Sequence, residues 1–156
     1  MRKEAVLMIY KWKRNDFPVG AEVAGRHLEE MESKHGGITP ALIVDENRAK
    51  NAPLHSCFEW NDNVAAERYR EDQARCILRN IVIIKDEKSR PIRGFWNVET
   101  IEGENTKRIY VSTGTVFANE DYKQQTLDKA MRELRAFASK YEDLKAELSE
   151  VFRAIE

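Results

Sequence analysis

The chain has 156 residues, with 26 Lys and Arg against 27 Asp and Glu and a formal net charge of −1. That length corresponds to one domain, at roughly 100–200 residues per domain, and 42% hydrophobic residues exclude a wholly disordered chain. No apolar run approaches the roughly 18 residues of a membrane helix, and the balanced charge excludes indiscriminate polyanion binding by the whole surface, leaving only a local basic patch for that purpose.

Residues 3–14 alternate, with Val6, Met8, Tyr10 and Trp12 at period two, which predicts a half-buried strand. The basic start, MRKEAVLMIYKWKR, lacks the apolar core of about 7–15 residues that a secretory signal carries. Residues 15–20 contain Pro18 and Gly20 and break the pattern. From Ala21 to His35 the apolar positions Ala21, Val23, Ala24, Leu28 and Met31 fit one helix face, closed by Gly36-Gly37. Thr39 and Pro40 suit the cap and first turn of a short helix reaching about Ala49. Residues 50–63 read as a loop anchored by Phe58 and Trp60. Asn61, Asp62 or Asn63 is expected to cap a helix over 64–79.

The β-branched run Ile81–Ile84 predicts a buried strand, and 92–99 and 107–112 predict two more, turning at Gly103-Glu104-Asn105. The three are expected to form an antiparallel meander. Asn119 should cap a helical tail. Leu127, Met131, Leu134 and Phe137 form one apolar stripe, and Leu144, Leu148, Val151 and Phe152 another. A break near residues 139–141 leaves one helix or two. The expected fold is a single α+β domain over 1–156: a strand and a helical half to about residue 80, a three-stranded antiparallel sheet over 81–113, and amphipathic carboxyl-terminal helices over 119–156 clasping that sheet.

One stretch is distinctive: Gly36–Pro40 (GGITP), Pro53–His55 (PLH), Phe58–Trp60 (FEW) and Ala65–Arg75 (AAERYREDQAR). Phe95-Trp96-Asn97-Val98, Tyr110-Val111-Ser112, and Leu134, Phe137, Tyr141 and Leu144 follow in order. This pattern resembles the hallmark of an uncharacterised family of small bacteriophage and prophage proteins. The resemblance implies a mobile-element origin and a bacterial cytoplasm. It brings no activity, so no catalytic residue is carried over. Two cysteines, Cys57 and Cys76, are too few for a disulfide framework and fit a reducing compartment.

The residues allow three kinds of chemistry. His55, Cys57 and Glu59 alternate and are competent zinc ligands, but no second ligand pair accompanies them, so a tied loop is the expected role and no metal or cofactor is assigned. A cysteine nucleophile needs a base such as His27, His35 or His55 and an oxyanion hole. Neither cysteine has a recognisable arrangement of that kind, and Cys76 between apolar neighbours reads as core. Gly36-Gly37 has neither phosphate-loop nor dinucleotide spacing. No catalytic residue is therefore expected, and the chain is read as non-enzymatic.

Nucleic acid is the favoured ligand. Two short helices joined through residues 36–39 have a helix-turn-helix outline, and a third helix with antiparallel strands suggests a winged domain. The cations assigned to phosphate contact with double-stranded DNA are Lys11, Lys13 and Arg14 on the first strand, Arg75 and Arg79 on the third helix, and Lys85, Lys88, Arg90 and Arg93 on the hairpin. Arg68 shares the face of Arg75 and Arg79, but Asp72 and Glu71 stand within salt-bridge spacing. The alternative is a protein-binding inhibitor or adaptor acting on a host enzyme or defence complex. A homodimer is compatible with the amphipathic tail, and no membrane is involved.

Overall fold

A computed structural model describes residues 8–64 and 66–155. Arg2, Lys3 and Val6 of the expected first strand, and Ala65 of the expected third helix, lie outside the described residues. The elements in chain order are β1 (Ile9–Trp12), α1 (Ala21–His35), α2 (Pro40–Glu46), α3 (Glu67–Asn80), β2 (Ile81–Ile84) and β3 (Ile92–Arg93). They continue with β4 (Phe95–Glu102), β5 (Asn105–Ser112), α4 (Thr113–Ala118), α5 (Glu120–Lys140) and α6 (Ser149–Ile155). The class is α+β.

Local chemistry sets most element ends. Gly36 takes a left-handed conformation (φ 73°) at the end of α1, where a side chain would be strained. Thr39 Oγ1 accepts from Leu42 N–H at 3.1 Å with Pro40 in the first turn, so α2 starts as its residues predict. Asn119 Oδ1 likewise accepts from Tyr122 N–H at 3.0 Å and starts α5. The tail is two helices: α5 stops at Tyr141, a 3₁₀ turn spans Glu142–Leu144, and α6 follows.

Three expectations are corrected. First, α3 begins at Glu67 behind Ala66, with no side-chain cap. Asn61 and Asp62 instead shape the preceding turn, because Asp62 is drawn to the Arg70 guanidinium. Second, the strands of 81–113 are not one meander. The three-stranded antiparallel sheet has the order β1-β2-β3, while β4 and β5 form a separate hairpin. Gly94 parts them: its N–H donates to Ile81 O at 3.2 Å, so the chain turns off the sheet one residue after β3. Third, a short helix, α4, stands between β5 and α5, its first turn capped by Ser112 Oγ.

The main core joins both chain halves. Tyr10, Ala24, Leu28, Met31, Ile43, Ile77, Leu78, Ile81, Ile83 and Phe95 are buried in one cluster. A second cluster, Val98, Ile109, Val111 and Val116, lies under the hairpin and α4. Ile38, in the turn between α1 and α2, bridges to β5: its N–H donates to Tyr110 O at 2.9 Å and Tyr110 N–H donates back at 2.6 Å. The open edge of β1 is covered by α1. Glu22 accepts from Tyr10 N–H at 2.9 Å, and Arg26 donates to Met8 O at 3.0 Å, which blocks the edge against strand addition.

Candidate nucleic-acid interface

Strand alternation sorts the residues of the β1-β2-β3 sheet. Tyr10 pairs with Ile83 and Trp12 with Ile81, and these four face the core. The intervening residues therefore lie on the opposite face, where Ile9 and Lys11 are exposed while Val82 and Ile84 of the central strand remain buried. Lys11 stands opposite Val82, and Val82 opposite Arg93. Directly opposed residues share a face, so Lys11 and Arg93 flank Val82 across two strand spacings, about 9–10 Å. Lys13 continues the ladder by donating its N–H to Asn80 O at 2.7 Å, and Arg14 follows it.

At the far end of β2, the turn to β3 carries Lys85, Lys88 and Arg90, all exposed. Asp86 organises it, accepting from Lys88 N–H and Ser89 Oγ, both at 2.9 Å. Those bonds hold its carboxyl below the ordinary carboxylate range, and the turn also carries the exposed acid Glu87, so its three cations stand with two acids. Arg93 lies over the Trp96 indole, 5.3 Å from the ring centroid, and the indole N–H is fixed by Thr113 Oγ1 at 3.0 Å. Stacking of this kind holds a guanidinium in place without neutralising it. Trp96 enters the sequence pattern only as part of Phe95–Val98 and not as a partner of Arg93. Its position three residues beyond Arg93 was the available signal, and the crossing from β3 to β4 at Gly94 is what gives that spacing meaning.

The acid partners separate the nine assigned cations. Lys11, Lys13, Arg14, Lys85, Lys88, Arg90 and Arg93 make no ion pair among the described residues. Arg75 is different: it bonds Asp72 at 2.8 Å and lies 3.5 Å from Glu71. Its charge is spent on its own helix. Arg79 is exposed and donates to Cys76 Sγ at 3.2 Å. It sits one residue before Asn80, whose carbonyl takes the Lys13 N–H, but its side chain is bonded back along its own helix. The sheet, its ends and its turn thus carry seven of the nine cations.

The loop of the distinctive motif serves another purpose. Asn47 is fully buried, and its Oδ1 accepts from Leu54 N–H and His27 Nε2, both at 3.0 Å. His55 Nδ1 donates to Asn47 O at 2.9 Å. The imidazole stacks on Trp60, 4.8 Å between centroids and 5° between planes, and Trp60 Nε1 donates to His55 O at 2.7 Å. Beneath the indole, the buried Arg70 guanidinium donates to Glu59 O at 2.8 Å and pairs with Asp62 and Glu67. Hydrogen bonds from Arg48 and then Arg70 hold the Glu67 carboxyl below its ordinary value.

Burial pushes the Cys57 thiol up to about 11, so the thiolate needed for nucleophilic attack or metal binding is scarce at neutral pH. Among the described residues no three His, Cys, Asp or Glu side chains are grouped to hold a metal ion. Pro53–His55 and Phe58–Trp60 build a loop clamp.

A groove of about 640 Å³ lies between the β4-β5 hairpin and α5. It is lined by both signs of charge, among them Glu99, Arg108, Asp128 and Arg132, with Arg108 and Glu99 already paired at 3.3 Å. No helix among the described residues is long and apolar enough to cross a membrane. No family model, curated protein or solved structure matches the chain.

Proposed function

We propose that the protein is a non-enzymatic accessory protein of a bacteriophage or prophage that binds double-stranded DNA by its phosphates. One observation carries this reading: the β1-β2-β3 sheet, its ends and its 85–91 turn bring together seven cations that make no ion pair among the described residues, whereas Arg26, Arg48, Arg70, Arg75 and Arg108 are paired and other unpaired cations, such as Arg68, Lys129 and Arg135, stand on helices that also carry acids. Leaving like charges together costs stability, and a bound polyanion recovers that cost by releasing its counterions. The resemblance to small phage proteins supports the setting.

Base reading has little support. α2 is seven residues long and buries Ile43 and Val44, so it offers no row of Asn, Gln or Arg to the major groove. The exposed start of α3 is acidic at Glu67, Glu71 and Asp72. Contact is therefore placed on the backbone, with the 85–91 turn as a wing.

The test is binding of the full chain to a fluorescent random-sequence duplex, titrated from about 50 to 200 mM salt. Affinity is expected to fall steeply, and the triple variant K11E/K13E/R14E to lower the salt slope by roughly 3 while the fold persists. Arg75→Glu, whose charge is already balanced, should change the slope little. Absence of binding at the low-salt end overturns the DNA reading. The host-protein inhibitor then takes its place, examined by recovery of one stoichiometric, nuclease-insensitive partner.

A further inference from the structure

We infer that the chain forms a two-fold symmetric dimer by antiparallel packing of α5 against α5 of a second copy. This goes beyond the DNA reading and uses a different surface. α5 is turned inside out. Gln125 faces the hairpin, accepting from Glu99 N–H at 2.7 Å and donating to Glu99 O at 2.8 Å. Lys129, Arg132 and Ala136 line the same groove. At about 100° per residue, Leu127, Met131 and Leu134 lie on the opposite side, with Phe137 at their flank. Their exposures are 52, 41, 41 and 37%, and none of the 21 residues of α5 is buried. A helix in water takes its stability chiefly from packing its apolar face, and here that face is open. α6 packs against α5, yet Leu144 and Val151 remain 47 and 42% exposed.

The occupant is specified by the pattern itself. Leu127, Met131, Leu134, Ala138 and Tyr141 are spaced four, three, four and three, which is the d-a-d-a-d seam of a heptad coiled coil. In an antiparallel pair centred between Arg132 and Glu133, Met131 meets Leu134 of the second copy, and Leu127 meets Ala138. Phe137 falls beside Ala130, so the central Met131–Leu134 contacts are flanked on both sides by large side chains that face small ones. The flanking charges are also self-complementary. Asp128 and Arg135 occupy the same heptad position one repeat apart, between the seam and the hairpin groove that Asp128 also lines; Asp128 takes a hydrogen bond from Gln124 at 2.8 Å but neither makes an ion pair among the described residues, and antiparallel packing sets each Asp128 against Arg135 of the other helix. A parallel pair instead stacks Ala138 on Ala138 and leaves Arg135 facing Ala130. The seam is thus built for its own two-fold image, as a closed isologous interface requires.

The experiment is sedimentation equilibrium of the nuclease-treated full chain over roughly 1–200 µM, a range that spans weak dimers by mass action. Concentration-dependent dimer is expected. Leu134→Glu, at a position exposed in the single chain, should raise the dissociation constant by about tenfold or more, equivalent to at least about 1.4 kcal/mol, with an unchanged circular dichroism spectrum. D128R and R135D should each weaken the dimer, and the charge-swapped D128R/R135D should restore it. Under oxidation, M131C/L134C should cross-link and M131C alone should not. A monomer throughout, a dimer indifferent to Leu134→Glu, failure of the charge swap to restore it, or cross-linking by M131C alone overturns the inference.

Discussion

Asn47 shows how much one side chain can organise. With its Oδ1 and carbonyl oxygen engaged as described, its Nδ2 donates to Ile43 O at 2.7 Å, so the residue joins α1, the end of α2 and the 53–55 segment at a fully buried point. Asn47→Ala strips partners from Leu54 N–H and His27 together, and unpaired buried donors cost about 1–3 kcal/mol each. We expect a loss of about 2–4 kcal/mol in urea denaturation, with the Trp60 environment changing in step. In the sequence His55, Cys57 and Glu59 stand out because alternating ligand-type residues form a recognisable pattern. A lone Asn after a helix forms none. Its importance arises only when residues 27, 43, 54 and 55 are folded around it, although the outcome, a tied loop, is the one the sequence favoured.

At the scale of elements, α1 and β1 fit through an absence of side chain. A Cβ at Gly25 would lie 2.1 Å from Tyr10 Cγ, so only glycine lets the buried ring rest on the helix. Burial, and then the hydrogen bond to Glu29, raise the Tyr10 phenol, which stays neutral across the physiological range. Gly25→Ala would suit a helix interior by propensity, but must displace Tyr10, and overpacking costs typically about 1–3 kcal/mol. We therefore expect a lower melting temperature, opposite in sign to the propensity effect. The end of α1 and the starts of α2 and α5 were legible because glycine, Thr-Pro and Asn caps act locally, whereas α2 stops at Glu46, short of the expected Ala49. The partnership of strands was not. β1 and β2 are some seventy residues apart, and their pairing depends on which apolar faces meet, a choice that alternation alone leaves open.

Across the whole molecule, two cores are bound together by few polar links, and Glu32 is the chief one. Nearly buried on α1, it accepts from Ser112 N–H at 3.0 Å and from the Thr115 hydroxyl, anchoring the start of α4 to the helical half. Glu32→Ala should cost about 1–3 kcal/mol and act unevenly. Amide exchange is expected to accelerate across 95–118, while 24–31 and 77–84, held in the main core, keep their protection. Uniform acceleration over both regions would show instead that the two cores open as one.

The sequence by itself determined the α+β class, the bounds of α1, the starts of α2 and α5 and the stock of cations, because caps, periodicity and charge are properties of neighbouring residues. Tertiary structure decided which of those cations stand together. Lys11 and Arg93 flank Val82 only through β1-β2-β3 pairing, while Arg75 is neutralised by acids on its own helix turn. It also decided the direction of α5. The apolar stripe was plain in the sequence and was expected to cover the protein's own sheet. Gln125 takes the backbone of β4 and Tyr122 joins the hairpin core, and these contacts rotate the stripe outward. An amphipathic pattern states that one face must be covered; which surface covers it is settled by the contacts at the end of the helix.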